Sequence, residues 1–552
     1  MLTAGGLNAP APWVPFTRAG CNFGGVATAN VCLENTAVDV AKVFGPNSPE
    51  QQEVLQNPSP PSTLPQADFV GIGIHCALGN SLCSSANHGV ADILPDEPGR
   101  YSGYMGLFGH KYVAPQISPS LPMTDLSGNV IQDPNGNKGF PGFDGMSASV
   151  SLAYVAAMQE HGVPVTYAYI SDAHDAHPTG PAYGPGQAGY VAALQAYDSA
   201  FSRFFTRLSN DGINSSNTLF VFTSDEGDHF VGGAPSPAGC DGVTTPCTYS
   251  QIGEINAYMA GLLATEQGIT TPFKVHSDSA PNVYITGNPA RDAAVTRTFE
   301  RGVGKLTAVN PITGNTDTLT KYLADPVEMK LLHMITADPA RTPTFNMFAD
   351  PNYFLFAGAP SCSSKSPCVT ENPGFAWNHG TVSPDINTTW LGMVGPGIAQ
   401  VGVDSTTWSD HTDIRPTMMV LLGLKDDYVH DGRVLFEDFQ GWAVPPSLKK
   451  AGGIVLQLAQ VYKQIDACVG QLGLKTLAVS TRALESGNAS DDSTYTQLEN
   501  QLISITGQRD TLAAQIIAVL EAAEFNGQPI DQQQAKQLIA QANALLNQVN
   551  GL

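Results

Sequence analysis

No apolar run approaches the roughly 18 residues that a membrane-crossing helix needs. The opening stretch MLTAGGLNAPAPWVPF carries neither the basic nor the apolar segment of an export signal. Positive charge is scarce: 26 lysines and arginines face 49 aspartates and glutamates. The resulting formal charge of −23 repels polyanions and argues against nucleic acid as a surface-bound partner. No repeat of fixed period occurs, which excludes a solenoid or propeller array. No CxxC knuckle occurs either, so the cysteines do not read as a zinc knuckle.

The nine cysteines fall mostly into close pairs: Cys21 with Cys32, Cys76 with Cys83, Cys240 with Cys247, and Cys362 with Cys368. Each pair lies among Gly, Ser, Pro and Asn, the setting of a loop-closing disulfide, and disulfides imply an extracytoplasmic location, periplasmic or secreted. Such a location without an export signal leads us to expect that the natural start lies upstream of Met1. Cys468 falls on an apolar helical seam with Ile454, Leu458, Val461, Ile465 and Leu472, where a buried, inert thiol is expected.

A chain of 552 residues is too long for one small core, and 55 glycines with 40 prolines imply many ordered loops. Residues 1–145 show only short apolar runs among turn residues. An α/β rhythm follows: a helix over Ser147–His161, a strand over Val165–Ile170, a helix over Gln187–Leu208 and a strand over Thr218–Thr223. This alternation predicts a mostly parallel sheet sandwiched by helices, with ligands gathering at the carboxyl ends of its strands. Residues 231–345 read as an inserted cap over a core spanning 1–440. A third strand ends at Gly395-Pro396-Gly397, and Asp413 is placed to cap the helix that follows it. Residues 441–552 turn to Gln, Ala and Leu with helical spacing, including Leu498, Leu502, Ile505, Leu512, Ile516 and Val519. They predict a small helical bundle, open to helix-mediated self-association, with Asp531 and Gln534 forming a capping box for the last helix.

The chemistry concentrates just after the predicted strands. YISDAHDAHP brings Asp172, His174, Asp175 and His177 together, a mixture of carboxylate and imidazole that suits zinc and neighbouring transition metals better than calcium. FTSDEGDHF brings Asp225, Glu226, Asp228 and His229 together, and carboxylates this crowded repel one another unless a cation or protons neutralise them. Trp377-Asn378-His379-Gly380 adds a third, weaker signal. Asp410-His411 suits capping and loop hydrogen bonding.

In this order the three motifs, with the segment DHTDIRPTMMVLLGLKDDYVHDGR, resemble the alkaline-phosphatase superfamily over roughly residues 100–440. The resemblance implies hydrolysis of phosphate esters, mono- or diesters, on a small phosphorylated substrate. It implies two divalent metal ions, zinc first, with manganese or others as alternatives. Asp172 and His177 with His379 would form one metal site, and Asp225 with Glu226 or His229 would serve the second. The family spaces its Asp and His by four residues, whereas Asp172 and His177 stand five apart, so Asp175 or His174 is an alternative. Its Ser or Thr nucleophile, with the strand before it, has no counterpart here. Absence of a Cys-x-Pro-x-Arg or Ser-x-Pro-x-Arg motif ranks sulfatase activity below phosphoester hydrolysis. A truncated or non-catalytic metal-binding remnant is the rival reading.

Overall fold

The structure, a computed structural model, describes residues 11–27, 36–56, 64–91, 104–174, 180–335, 339–365, 367–425, 430–487 and 491–552. Strands β1 (Phe23–Val26), β2 (Ile72–Cys76), β3 (Val90–Ala91), β4 (Met105–Phe108) and β5 (Val165–Ala168) form one sheet in the order β3-β4-β2-β1-β5. The helix Ala148–Glu160 packs on β1 and β5 with one side and on the helix Ala188–Asn210 with another. Apolar residues occur all around it, which is why Leu152 through Met158 are buried without a break.

Next in the chain come β6 (Phe220–Thr223), β7 (His229–Phe230), β8 (Glu254–Tyr258), β9 (Phe273–His276), β10 (Asn282–Ile285), β11 (Thr307–Val309) and β12 (Thr316–Thr318). They are followed by β13 (Thr320–Ala324), β14 (Phe345–Ala349), β15 (Tyr353–Phe356), β16 (Val369–Asn372), β17 (Trp377–Asn378) and β18 (Leu391–Val394). A four-stranded antiparallel sheet, β13-β14-β10-β9, and a three-stranded one, β15-β8-β16, share a core with Phe299, Val303 and Leu306. Three two-stranded ladders, β11 with β12, β17 with β7 and β18 with β6, complete the described strand pairing.

The α/β class stands, but the described sheets are small and mixed, not one mostly parallel sheet. Among the described pairings only β1 with β5 and β8 with β15 run parallel. The helix and strand periods were legible, yet β5 and β6 do not pair with each other: β5 takes β1, and β6 takes β18 in antiparallel register. Local pattern sets a strand's period and leaves its partner open.

The helices Pro446–Ala451, Gly453–Asp466, Gln471–Ser486, Ser493–Asn526 and Gln532–Asn550 form the C-terminal bundle. Leu498, Leu502, Ile505, Leu512 and Ile516 are buried in one cluster with Val327, Leu331 and Phe436. The seam that suggested self-association is therefore spent within the chain. Asp531 caps its helix by accepting from Gln534 N at 2.7 Å. Cys468 departs from expectation, because the seam breaks into two helices and leaves it exposed in the turn between them. Its sulfur still lies 3.0 Å from the Leu332 carbonyl, and desolvation pushes the thiol up to about 11. Asp413 also departs: its side chain makes no cap bond to the helix Ile414–Leu422 and instead accepts from Arg433 N at 2.9 Å. Asp410 caps the single turn His411–Asp413 that leads into that helix, accepting from Thr412 N at 3.0 Å.

Disulfides join Cys76 with Cys83, Cys240 with Cys247 and Cys362 with Cys368. The fourth expected pair includes Cys32, outside the described residues. No helix among the described residues is long and apolar enough to cross a membrane.

Candidate metal centre

Two short ladders assemble the site. Pairing of β6 with β18 sets Thr223 opposite Leu391, and pairing of β7 with β17 sets His229 opposite Asn378. The turn 224–228 lies between β6 and β7, and the turn 379–390 lies between β17 and β18, so the ladders hold Glu226 and Asp228 beside His379. Gly227 makes the approach possible. Its N–H donates to Ile386 O at 3.0 Å, and a Cβ there would sit 2.5 Å from Asp385 O.

His379 Nδ1 lies 3.2 Å from Glu226 Oε1 and 3.3 Å from Asp228 Oδ1. One donor atom from each of the three residues falls within 4.8 Å of the others. Zinc bonds of about 2.05 Å in tetrahedral geometry separate neighbouring donors by about 3.3 Å, so the spacing around His379 fits such an ion. The second oxygen of Asp228 faces a different ring: Oδ2 lies 3.3 Å from His174 Nε2. Asp172 stands at the edge, its Oδ2 4.0 Å from the same nitrogen.

The electrostatics follow from crowding. Burial, opposed by His379 and reinforced by Asp225, Asp228 and Asp172, pushes the Glu226 carboxyl up to about 7. Burial also works against ionised Asp228, but hydrogen bonds and charge from His174 and His379 prevail and hold it down at about 2. His379 is raised to about 9 by its bond to Asp228, against burial and with help from the charges of Glu226, Asp228 and Asp278. In the ion-free chain a proton on His379 therefore does the neutralising that a cation could do.

Of the residues the sequence singled out, Glu226 and His379 meet directly, and Asp172 and Asp225 lie close enough to raise Glu226. His229 is turned away: its Nδ1 lies 2.6 Å from Asp385 Oδ2 and its Nε2 3.1 Å from Asn352 Oδ1. Successive side chains on extended backbone point to opposite sides, so Asp228 and His229 face different partners. Asp175 and His177 lie outside the described residues. Asp228, named in its motif yet not among the expected ligands, proves the most connected carboxylate of the cluster. Its signal was Gly227, which lets the turn present the residues on either side of it to one point.

No protein-family model matches the chain, and no curated protein matches it either.

Proposed function

We propose that Glu226, Asp228 and His379 bind a divalent metal ion, zinc first and manganese next, and that this centre serves hydrolysis of phosphate esters outside the cytoplasm. The observation that carries the reading is two carboxylates and an imidazole converging at ligand spacing on a solvent-open rim. The order of the three motifs, similar to the alkaline-phosphatase superfamily, supplies the reaction class and a second ion, for which Asp172 and Asp225, both close enough to raise Glu226, are the candidate carboxylates. Three disulfides fit the location.

A divalent ion would supply Lewis acidity toward the phosphoryl oxygens and lower the pKa of water beside it. The chain's own part is to hold charge. Glu226 and Asp228 offer carboxylate oxygens, and His379 gives up its proton to offer Nδ1. The surrounding field is strongly negative, so an anionic ester gains access only once that charge is offset.

The test is equilibrium dialysis with zinc and manganese, followed by turnover of p-nitrophenyl phosphate and bis-p-nitrophenyl phosphate. Stoichiometric binding, with turnover abolished by chelator and restored by metal, is the expected result. Wild-type protein that takes up neither ion would overturn the site. Binding without turnover would favour the second reading, a cation-binding chain with no hydrolysis. One observation speaks for it: among the described residues no serine or threonine hydroxyl bonds to Glu226, Asp228 or His379.

A further inference from the structure

We propose that His174 is a further donor of this centre and that Trp377 is the positioning residue that holds it there, an inference resting on the metal-binding reading above. The indole of Trp377 stacks on the His174 imidazole with ring centroids 5.0 Å apart and planes 18° from parallel. Its Nε1–H donates to Tyr183 O at 2.7 Å, while the Tyr183 N–H donates to His174 O at 2.9 Å. Trp377 and the Tyr183 backbone thus hold both the ring and the main chain of His174. The pose they hold brings Nε2 within 3.3 Å of Asp228 Oδ2.

The register explains why the same strand serves both histidines. Trp377 and His379 are two residues apart along extended backbone, so they share a side. His379 meets Oδ1 of Asp228 directly, and Trp377 delivers His174 to Oδ2. Each oxygen of one carboxylate faces its own imidazole. Trp377 is fixed in turn by its pairing with Phe230 across the β7-β17 ladder, by the Phe230 ring at 5.1 Å, and by Tyr190, stacked at 5.9 Å.

The alternative is that Trp377 merely packs. Zinc titration of the full-length protein separates the two in a double-mutant cycle. His174→Ala is expected to weaken zinc binding about tenfold to a hundredfold, the range seen when groups around a metal are removed. Trp377→Leu, which removes both the stack and the N–H bond, is expected to come close to that loss, and Trp377→Phe, which keeps an aromatic face, to fall between. In the His174→Ala background, Trp377→Leu should add nothing. Cobalt should quench tryptophan fluorescence in the wild type and lose most of that quenching in Trp377→Phe. Additive losses from Trp377→Leu and His174→Ala, or wild-type affinity in either single variant, would overturn the proposal while leaving the metal site standing. A wild-type chain that binds no zinc would overturn both.

Discussion

Glu300, Asp325 and Glu499 crowd around Arg297, with Glu328 against Asp325, and at most 1% of each acid is exposed, whereas Glu226 and Asp228 crowd around His379 with 42% and 23% of their side chains open to solvent. The buried group is neutralised by guanidinium. Arg297 reaches Glu300 and Asp325 at 3.1 Å each and Glu499 at 2.6 Å, its charge lies 4.4 Å from the centre of the Tyr495 ring, and Arg291 adds a second contact to Glu499. Burial and neighbouring carboxylates drive Glu300 and Glu328 well above their ordinary range, so the cluster carries less charge than its composition suggests. Among the described residues no lysine or arginine pairs with Glu226 or Asp228. Permanent cations make a carboxylate cluster a structural joint, here between the segment 291–328 and the helix Ser493–Asn526. Imidazoles can exchange a proton for a metal, which leaves the other cluster available for binding.

The contrast breaks first on stability. Arg297→Met should cost about 3–5 kcal/mol, because it strands buried acids without their partner. Glu226→Gln should change stability by less than about 0.5 kcal/mol, since at an open rim it relieves the repulsion from Asp225, Asp228 and Asp172 that raises this carboxyl. Urea denaturation of the two variants decides, and comparable losses would erase the distinction between joint and site.

A smaller effect tests a second buried acid in the same helix. Glu524 is pushed up to about 8 by burial, against the lowering effects of its bond from Val434 N and the charge of Arg433. An acid raised on folding contributes stability that is complete below its ordinary value of 4.5 and is lost as pH climbs to about 8. Glu524→Gln should therefore flatten the fall in urea midpoint between pH 5 and pH 8.5, and leave the variant more stable than wild type at the upper end. Parallel midpoint curves for the two proteins would show that Glu524 ionises freely in the fold.

The smallest change in folding is expected at the open cluster, where the readout is metal. Uptake must displace protons held on Glu226 at about 7 and on His379 at about 9. Zinc affinity should rise by at least about tenfold from pH 6 to pH 8, with the rise strongly reduced in His379→Ala. Proton release measured in weakly buffered titrations checks the same point.

Much of the local structure could be read directly. Helices 148–160 and 188–210 and strands β5, β6 and β18 follow from periodicity bounded by Gly162, Gly212 and Gly395. Three disulfides followed from spacings of six or seven residues, which leave each cysteine one near neighbour. Strand β1, FGGV, has too little apolar pattern to announce itself, so the partner of β5 was invisible. Asp410 caps as expected, whereas Asp413 does not, because Arg433 and Lys463, distant in sequence, claim its side chain, the Oδ1 lying 3.2 Å from Lys463 Nζ. His229 looked like Asp228 to any composition argument, and only the direction of its side chain told them apart.

The amino-acid sequence alone determined where carboxylates and imidazoles are dense, which segments have helical periodicity, and that no apolar run approaches the length a membrane-crossing helix needs. Charge repulsion and residue period are short-range properties, carried by neighbours along the chain. Tertiary structure decided which acids receive arginine and which receive histidine, because that depends on strand partners as far apart as residues 223 and 391. The two ladders β6-β18 and β7-β17 made that choice at the rim, and the packing of the C-terminal bundle made it in the interior.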